Sequence, residues 1–231
     1  MKRFAVGYEF LCRIIMMIVV VNVAFVAHTL LGLIVGGLFP SVAASYATFR
    51  SWLLDVDDRS WTVKRTWSTF HQAWLEELGS ANLFGWPQLL IWTLLIWEYW
   101  FVQHNDLGTV GFAISGALLV INLIYGLFAF LSWAVHVNFD EKAPWVSMVI
   151  ARPLCSLMVL LLFLITVWAY YMWPGLMMVF GVAVPIFATM MAVYSWGRLP
   201  GMDVHVLEPI GQDQNAGSAG TTTPVRKDNL S

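Results

Sequence analysis

Charged residues are scarce in this sequence. The 231 residues include 12 Lys and Arg and 14 Asp and Glu, or 11% of the chain, whereas roughly a quarter of a soluble globular chain is charged. Hydrophobic residues make up 59%, and the mean hydropathy is +0.72. This composition excludes an ordinary soluble domain. Because the few basic residues form no stripe, it also excludes nucleic acid as a partner.

Cysteine and the common catalytic motifs are also rare or missing. Cys12 and Cys155 lie in or beside apolar runs, which predicts two packed, unpaired thiols. The chain has no phosphate-binding loop, zinc-protease motif or nucleophile elbow. Its segment "DVDDRSWTVKRT" begins like a calcium loop but lacks the required Gly and final Glu. We therefore predict no enzymatic activity, no catalytic residues, no cofactor and no metal site.

Long apolar runs dominate the rest of the sequence. A bilayer core of about 30 Å requires about 20 apolar residues per helix, and lipid-exposed backbone must satisfy its own hydrogen bonds. The predicted class is an all-α, polytopic helical membrane protein with a single membrane domain over residues 1–198. The polar residues 199–231 are predicted to be a disordered tail. The five predicted transmembrane helices cover residues 14–39, 84–102, 107–135, 153–173 and 175–196.

The distribution of Lys and Arg predicts an orientation in the cell membrane. With five spans, nine basic residues fall on the side of the large polar segment and the C-terminus, which is therefore predicted to be cytoplasmic. The N-terminus would then lie outside. Lys2, Arg3 and Arg13 disagree with this arrangement. Either they lie along the surface, with Glu9 and Arg13 paired, or the first run does not fully cross.

A polar segment of about 45 residues separates the first two apolar runs. Its apolar residues recur at helical spacing, which predicts two amphipathic helices over residues 41–56 and 60–78 under the membrane. Ser60 is the predicted N-cap of the second helix. That helix has Lys64 and Arg65 in its first turn and acidic residues in its last, the reverse of the helix-dipole preference. The helices could rest on lipid, or a partner protein could recognise their charges.

The partner interpretation predicts a set of contact residues in this segment. Its aromatic anchors would be Trp52, Trp67, Phe70 and Trp74, since tryptophan is common at binding hot spots. Arg50, Lys64 and Arg65 would set the orientation of the contact.

Four polar residues fall inside the predicted spans, where polar groups are the default functional candidates. Glu98 is flanked by aromatic residues near a helix end, which predicts an interfacial position. The others, Asn22, His28 and Asn122, could join helices by hydrogen bonds. In the alternative function, a stand-alone small permease or channel, these three would line the route. A continuous polar cavity would favour that alternative.

The segments "GLFPSVAASYATFRSWL" and "TFHQAWLEELGSANLFGW" resemble the YesL-like family of bacterial integral membrane proteins. Ser41 and the long acidic turn depart from its usual pattern. The resemblance implies an accessory role beside a carbohydrate ABC importer. The resemblance thus implies ABC permease subunits as partners, beside the lipid bilayer that the apolar runs predict and a second copy of the chain as a further possible partner. The matching residues are Gly37, Phe39, Pro40, Ala43, Ala44, Arg50, Phe70, Asn82 and Gly85.

Overall fold

A computed structural model of the chain describes residues 2–55, 58, 60–105, 108–138 and 153–196. The predicted all-α class is confirmed, and the predicted tail lies outside the described residues. The described residues form eight helices: α1 (Lys2–Leu31), α2 (Leu38–Leu54), α3 (Val63–Glu76), α4 (Ser80–His104), α5 (Gly108–Asn138), α6 (Pro153–Met172), α7 (Pro174–Phe180) and α8 (Ala183–Trp196).

Within the described part of the chain, three helices are long and apolar enough to cross a bilayer, at Leu11–Leu31, Gly108–Val137 and Leu154–Met172. The bent pair α7 and α8 would be a fourth span if counted as one. By helix length and hydropathy the chain is therefore a multi-pass membrane protein. The predicted span at residues 84–102 lies in α4, which is not among these candidates, so the count of five stays a prediction.

The sequence predicted that the first apolar run forms one helix through residue 39. The structure does not have this helix. Helix α1 ends at Leu31, and α2 begins only at Leu38. The six-residue connection between them holds Leu33 and Ile34 at positive φ angles of 56° and 65°. This turn sends α2 back along α1, so that residues 14–39 belong to two antiparallel helices.

Helix α2 is buried on most of its sides, which corrects the expectation of a surface helix over residues 41–56. It packs against α1, α3, α4, α5 and α8. Small residues such as Ser41, Ala43 and Ala44 allow neighbouring helices to approach it closely, and all three are fully buried. Helical spacing alone showed one apolar face of this segment, but small residues on the other faces are also buried.

The last predicted span, residues 175–196, is broken rather than continuous. Helices α7 and α8 meet at an angle of 69°. Gly181 lies at the break with a φ of +38°, a conformation that favours glycine because it has no Cβ. The bend therefore has a local cause that hydropathy does not reveal.

Helices α1, α2 and α3 form an antiparallel three-helix unit with two distinct ends. At the turn end, the Trp74 indole of α3 reaches the carbonyl of Gly37, just before α2. At the base end, Arg65 of α3 pairs with Asp55, just after α2. Since α2 returns along α1, the start of α1 lies at the base end too.

Candidate functional site

Helix α3 has one buried face and one exposed face. Its buried face consists of Thr66, Phe70 and Trp74, which pack on α1 and α2. The helix begins with Thr62 as its N-cap, whose hydroxyl accepts a hydrogen bond from the Arg65 amide at 3.3 Å. Ser60 is not the cap, because its amide and hydroxyl both donate to Asp58. The amphipathic helix predicted at residues 60–78 is thus helical over Val63–Glu76.

The predicted aromatic anchors divide between the interior and the surface. Trp52, Phe70 and Trp74 are only 2%, 0% and 5% exposed, so they hold the helices of this chain together. Trp67 is 38% exposed. Contact with a partner stays a prediction for all four, but Trp67 alone among them has substantial area free for it.

The basic residues at the base end have partners within the chain. Arg65 pairs with Asp55 at 2.7 Å and Asp58 at 2.9 Å, and its guanidinium lies 4.4 Å from the centre of the Trp61 ring. The two carboxylates compensate the unfavourable position of Arg65 in the first turn of α3. The ion pairs within the chain therefore account for the position of Arg65, and no partner protein is needed to explain it.

Hydrogen bonds set the protonation of this acidic turn. The Trp61 indole donates to Asp55 at 2.8 Å and, with a smaller contribution from Arg65, keeps the pKa of that carboxyl below its ordinary value. Hydrogen bonds from Ser60 do the same for the pKa of Asp58, again helped by Arg65. Both carboxylates are thus held in the charged form that Arg65 requires.

Arg50 and Lys64 occupy different surroundings at this end. Arg50 is half-buried near the end of α2, where it contacts Tyr194 of α8. Lys64 is exposed in the first turn of α3. Lys64 and Arg65 are thus both exposed, but Arg65 is already engaged in ion pairs with Asp55 and Asp58.

His28 joins α1 to α3 inside an aromatic cluster. Its Nδ1 lies 2.8 Å from the carbonyl of Ala24 and its Nε2 lies 3.0 Å from Nδ1 of His71. Because a carbonyl only accepts, neutral His28 carries its proton on Nδ1, and His71 donates to Nε2. The cluster also contains Trp67, Phe70 and Trp74, whose ring centres lie 5.0–5.4 Å from that of His28. The sequence did not reveal this pairing of His71 with His28.

Asn22 supports the break between α7 and α8. Its amide donates to the carbonyls of Met178 and Val179 at 3.2 and 3.0 Å, and the Tyr170 hydroxyl donates to Gly181 at 2.7 Å. Carbonyls freed by a broken helix need such donors in an apolar environment. Asn22 therefore joins two helices, as the sequence predicted it could.

The two remaining intramembrane candidates lie on the α4–α5 hairpin. Asn122 donates to the carbonyl of Leu118 at 2.9 Å and to that of Leu95 across the hairpin at 3.4 Å. Glu98 is exposed on α4, beside the paired rings of Trp97 and Trp100. The four predicted intramembrane polar residues do not converge on one site.

The turn end brings together residues from several of the segments that carry the family resemblance. The Asn82 amide donates to the carbonyl of Gly36 at 3.0 Å. The Phe39 ring lies where the Cβ of any larger residue at position 85 would be. Because Gly85 has no Cβ, α4 can pack closely against α2. Together with the bond from Trp74 to Gly37, these contacts hold α1, α2, α3 and α4 in one arrangement.

A cavity of about 240 Å³ lies between α1, α2, α4, α5 and α8, and its walls are almost wholly apolar. The polar groups at its edge already bond within the chain. The Tyr46 hydroxyl donates to Phe130 at 3.0 Å, and the Tyr125 hydroxyl donates to Gln88 at 2.9 Å. Asn22, His28 and Asn122 do not line this cavity, so it is not the polar route that a permease would need.

The arrangement defines a multi-pass helical membrane protein whose α1–α4 region is joined by specific polar contacts. Residues 18–99 match the profile of a family described as "Protein of unknown function, DUF624". The matched segment covers the later part of α1, all of α2 and α3, and most of α4. No curated protein and no solved structure matches the chain at a significant level.

Proposed function

We propose that this chain is a non-catalytic accessory subunit of a carbohydrate ABC importer and a YesL-like protein of the bacterial cell membrane. The proposal rests on the difference between the two faces of α3. Its aromatic face is locked into the chain by Phe70 and Trp74, while its opposite face is exposed over its whole length. The link to carbohydrate import rests on the family resemblance of residues 37–53 and 69–86.

The contact residues divide into two groups under this proposal. Lys64 and Trp67 touch the permease subunit, because both are exposed on α3. Trp52, Phe70 and Trp74 act indirectly by holding α3 in place, and Arg65 acts through its ion pairs with the acidic turn. A rigid helix with a free face loses little conformational freedom on binding, which favours association.

The base end of the three-helix unit faces the cytoplasm in this proposal. Arg13, Arg50, Lys64 and Arg65 all lie toward that end of α1, α2 and α3. Cytoplasmic segments carry an excess of Lys and Arg. In this proposal α2 packs back along α1 and Arg13 is placed on the same side as the polar segment, which would remove the conflict seen in the sequence.

The experiment is affinity purification of the full chain from its native membranes in a mild detergent, with co-purifying proteins identified by mass spectrometry. We expect stoichiometric recovery of ABC permease subunits. A Lys64→Ala/Trp67→Ala variant should lose them, whereas the control Trp97→Ala, which removes an exposed tryptophan from α4, should retain them.

Recovery of the chain alone, or only as a homo-oligomer, would contradict the accessory role and favour the stand-alone permease or channel. Asn22, His28 and Asn122 would then be the residues to replace in a transport assay. Their existing bonds support the accessory role instead, because the side-chain NH2 groups of Asn22 and Asn122 and both ring nitrogens of His28 already have partners within the chain.

A further inference from the structure

We propose that one face of α3 lies at the depth of the bilayer core and binds a transmembrane helix of a different protein. This face, the polar stripe, consists of Lys64, Ser68, Gln72 and Glu76, four exposed residues spaced four apart. Residues at this spacing lie above one another on a helix. The inference rests on the proposed function, since it specifies where and how the partner docks.

The depth of α3 follows from its neighbours. The Trp67 and Trp74 rings of α3 pack on the ring of His28, which lies inside the candidate span Leu11–Leu31. From there α3 extends back along α2 to the base end. Its 14 residues span about 21 Å, less than the hydrocarbon core of about 30 Å. The helix therefore fits within the depth that α1 crosses.

Polar side chains at that depth face protein or water rather than lipid. Among the described residues, the side-chain bonds of the stripe stay within α3: Gln72 donates to Glu76 at 3.0 Å, and the Ser68 hydroxyl donates to the Arg65 carbonyl at 3.0 Å. Trp67 and Leu75, which lie beside the stripe on one side, are 38% and 50% exposed. Polar groups next to exposed apolar side chains fit a contact between membrane helices, where polar residues bond across the helices.

The charges on the stripe select against a second copy of this chain. Two copies in one membrane have the same orientation, so their α3 helices would lie parallel around a two-fold axis along the membrane normal. Lys64 would then meet Lys64, and Glu76 would meet Glu76, which is repulsive. The fitting partner is a different helix with an acidic residue beside Lys64 and a basic or hydrogen-bond-donating residue beside Glu76.

The depth is tested by thiol labelling of the full chain in native membranes opened to both sides, in a Cys12→Ser background. The probe is a membrane-impermeant maleimide. We expect Ser68→Cys, like Ile121→Cys on the exposed apolar face of α5, to react at least about tenfold more slowly than Asp58→Cys at the base end, because thiolates form poorly in apolar surroundings. Equal labelling of Ser68→Cys and Asp58→Cys would overturn the inference.

The partner is tested by placing a photo-crosslinking phenylalanine analogue at Gln72 and, as the control, at Ile121. We expect an adduct with one other membrane protein from position 72 only. Lys64→Glu should reduce its yield by about tenfold, or about 1.4 kcal/mol, whereas Lys64→Arg should retain it. An adduct with a second copy, with lipid only, or with a yield unchanged by Lys64→Glu would overturn the inference.

The outcomes separate this inference from the proposed function. If permease subunits still co-purify but Ser68→Cys labels rapidly, the importer association stands and the membrane-depth contact is wrong. If the charge-dependent adduct forms with a protein unrelated to ABC importers, the helix contact stands and the proposed function is wrong.

Discussion

The three-helix unit α1–α3 and the α4–α5 hairpin are both largely apolar, but they are held together differently. Polar contacts join helices in both regions, such as His28 with His71 in the unit and Tyr125 with Gln88 in the hairpin, but the unit also buries large aromatic side chains such as Phe70 and Trp74. The α4–α5 hairpin exposes large apolar side chains along both helices, including Leu94 and Phe112. The unit thus has a specific packed arrangement of its own, whereas the hairpin depends more on what surrounds it. Three comparisons between matched residues of the two regions test this difference, and a fourth prediction concerns the ion pairs of the unit alone.

The largest expected effect comes from the tryptophans. Trp74→Ala removes a buried side chain from the three-helix unit and should lower the free energy of unfolding by about 3–5 kcal/mol. Trp97→Ala on the hairpin, where the side chain is 61% exposed, should change it by less than about 0.5 kcal/mol. Thermal unfolding of both variants in a mild detergent measures the difference. Similar losses for the two would contradict the contrast between the regions.

The second-largest change in the free energy of unfolding is expected from substitutions of glycine. A Cβ at Gly37 would lie 2.7 Å from the carbonyl oxygens of both His28 and Thr29. Because these backbone atoms cannot move independently, Gly37→Ala should destabilise the chain by about 1–3 kcal/mol. Gly116 has open space around it on α5, so Gly116→Ala should be neutral or stabilising by up to about 1 kcal/mol. The same unfolding assay would refute this close approach if Gly37→Ala were also neutral.

The asparagines sharpen the comparison further. Asn22→Leu leaves the carbonyls of Met178 and Val179 without their donor and should cost about 1–3 kcal/mol. Asn122→Leu removes one bond across the hairpin and should cost about 0.6 kcal/mol. Unfolding measurements on Asn22→Leu, Asn122→Leu and the double variant test both values and their additivity. A larger loss for Asn122→Leu would reverse the proposed ranking.

The smallest effect concerns pH at the base end. Hydrogen bonds from Trp61 and Ser60 lower the pKa values of Asp55 and Asp58 in the folded chain, so their stabilising contribution is fully present above the ordinary pKa of an aspartate. It is lost as the pH falls through the lowered values, because protonation removes the acceptors of Arg65. Melting curves from pH 6 to pH 3 should therefore show an acid-side loss. The Asp55→Asn/Asp58→Asn variant should show less of that loss, and an unchanged loss would mean that other groups cause it.

Local patterns predicted much of the secondary structure but not where its residues lie. Phe70 and Trp74 fell on the apolar face of α3 by their spacing, and they are on its buried face. The same reasoning gave α2 one apolar face, although it is buried on most of its sides. Spacing shows which residues share a face. It cannot show whether other helices cover the remaining faces.

The candidate site was predictable in part for a similar reason. Lys64 and Trp67 were identified by their types on an amphipathic helix, and both are exposed. The pairing of Arg65 with Asp55 and Asp58 was missed. That pairing depends on how the chain turns between α2 and α3, which the helix-dipole argument did not include.

By itself, the sequence determined the all-α class, the membrane setting and the amphipathic nature of α3. These properties follow from hydropathy, from the need to satisfy backbone groups in lipid and from side-chain spacing, all of which are local. Only the tertiary structure decided that α1 turns back at residue 32, that α7 and α8 bend at Gly181, and that His71 reaches His28. Each depends on contacts between residues that are distant in the chain, or on a backbone conformation. Glycine can adopt such a conformation, but its presence in the sequence does not mean that it will.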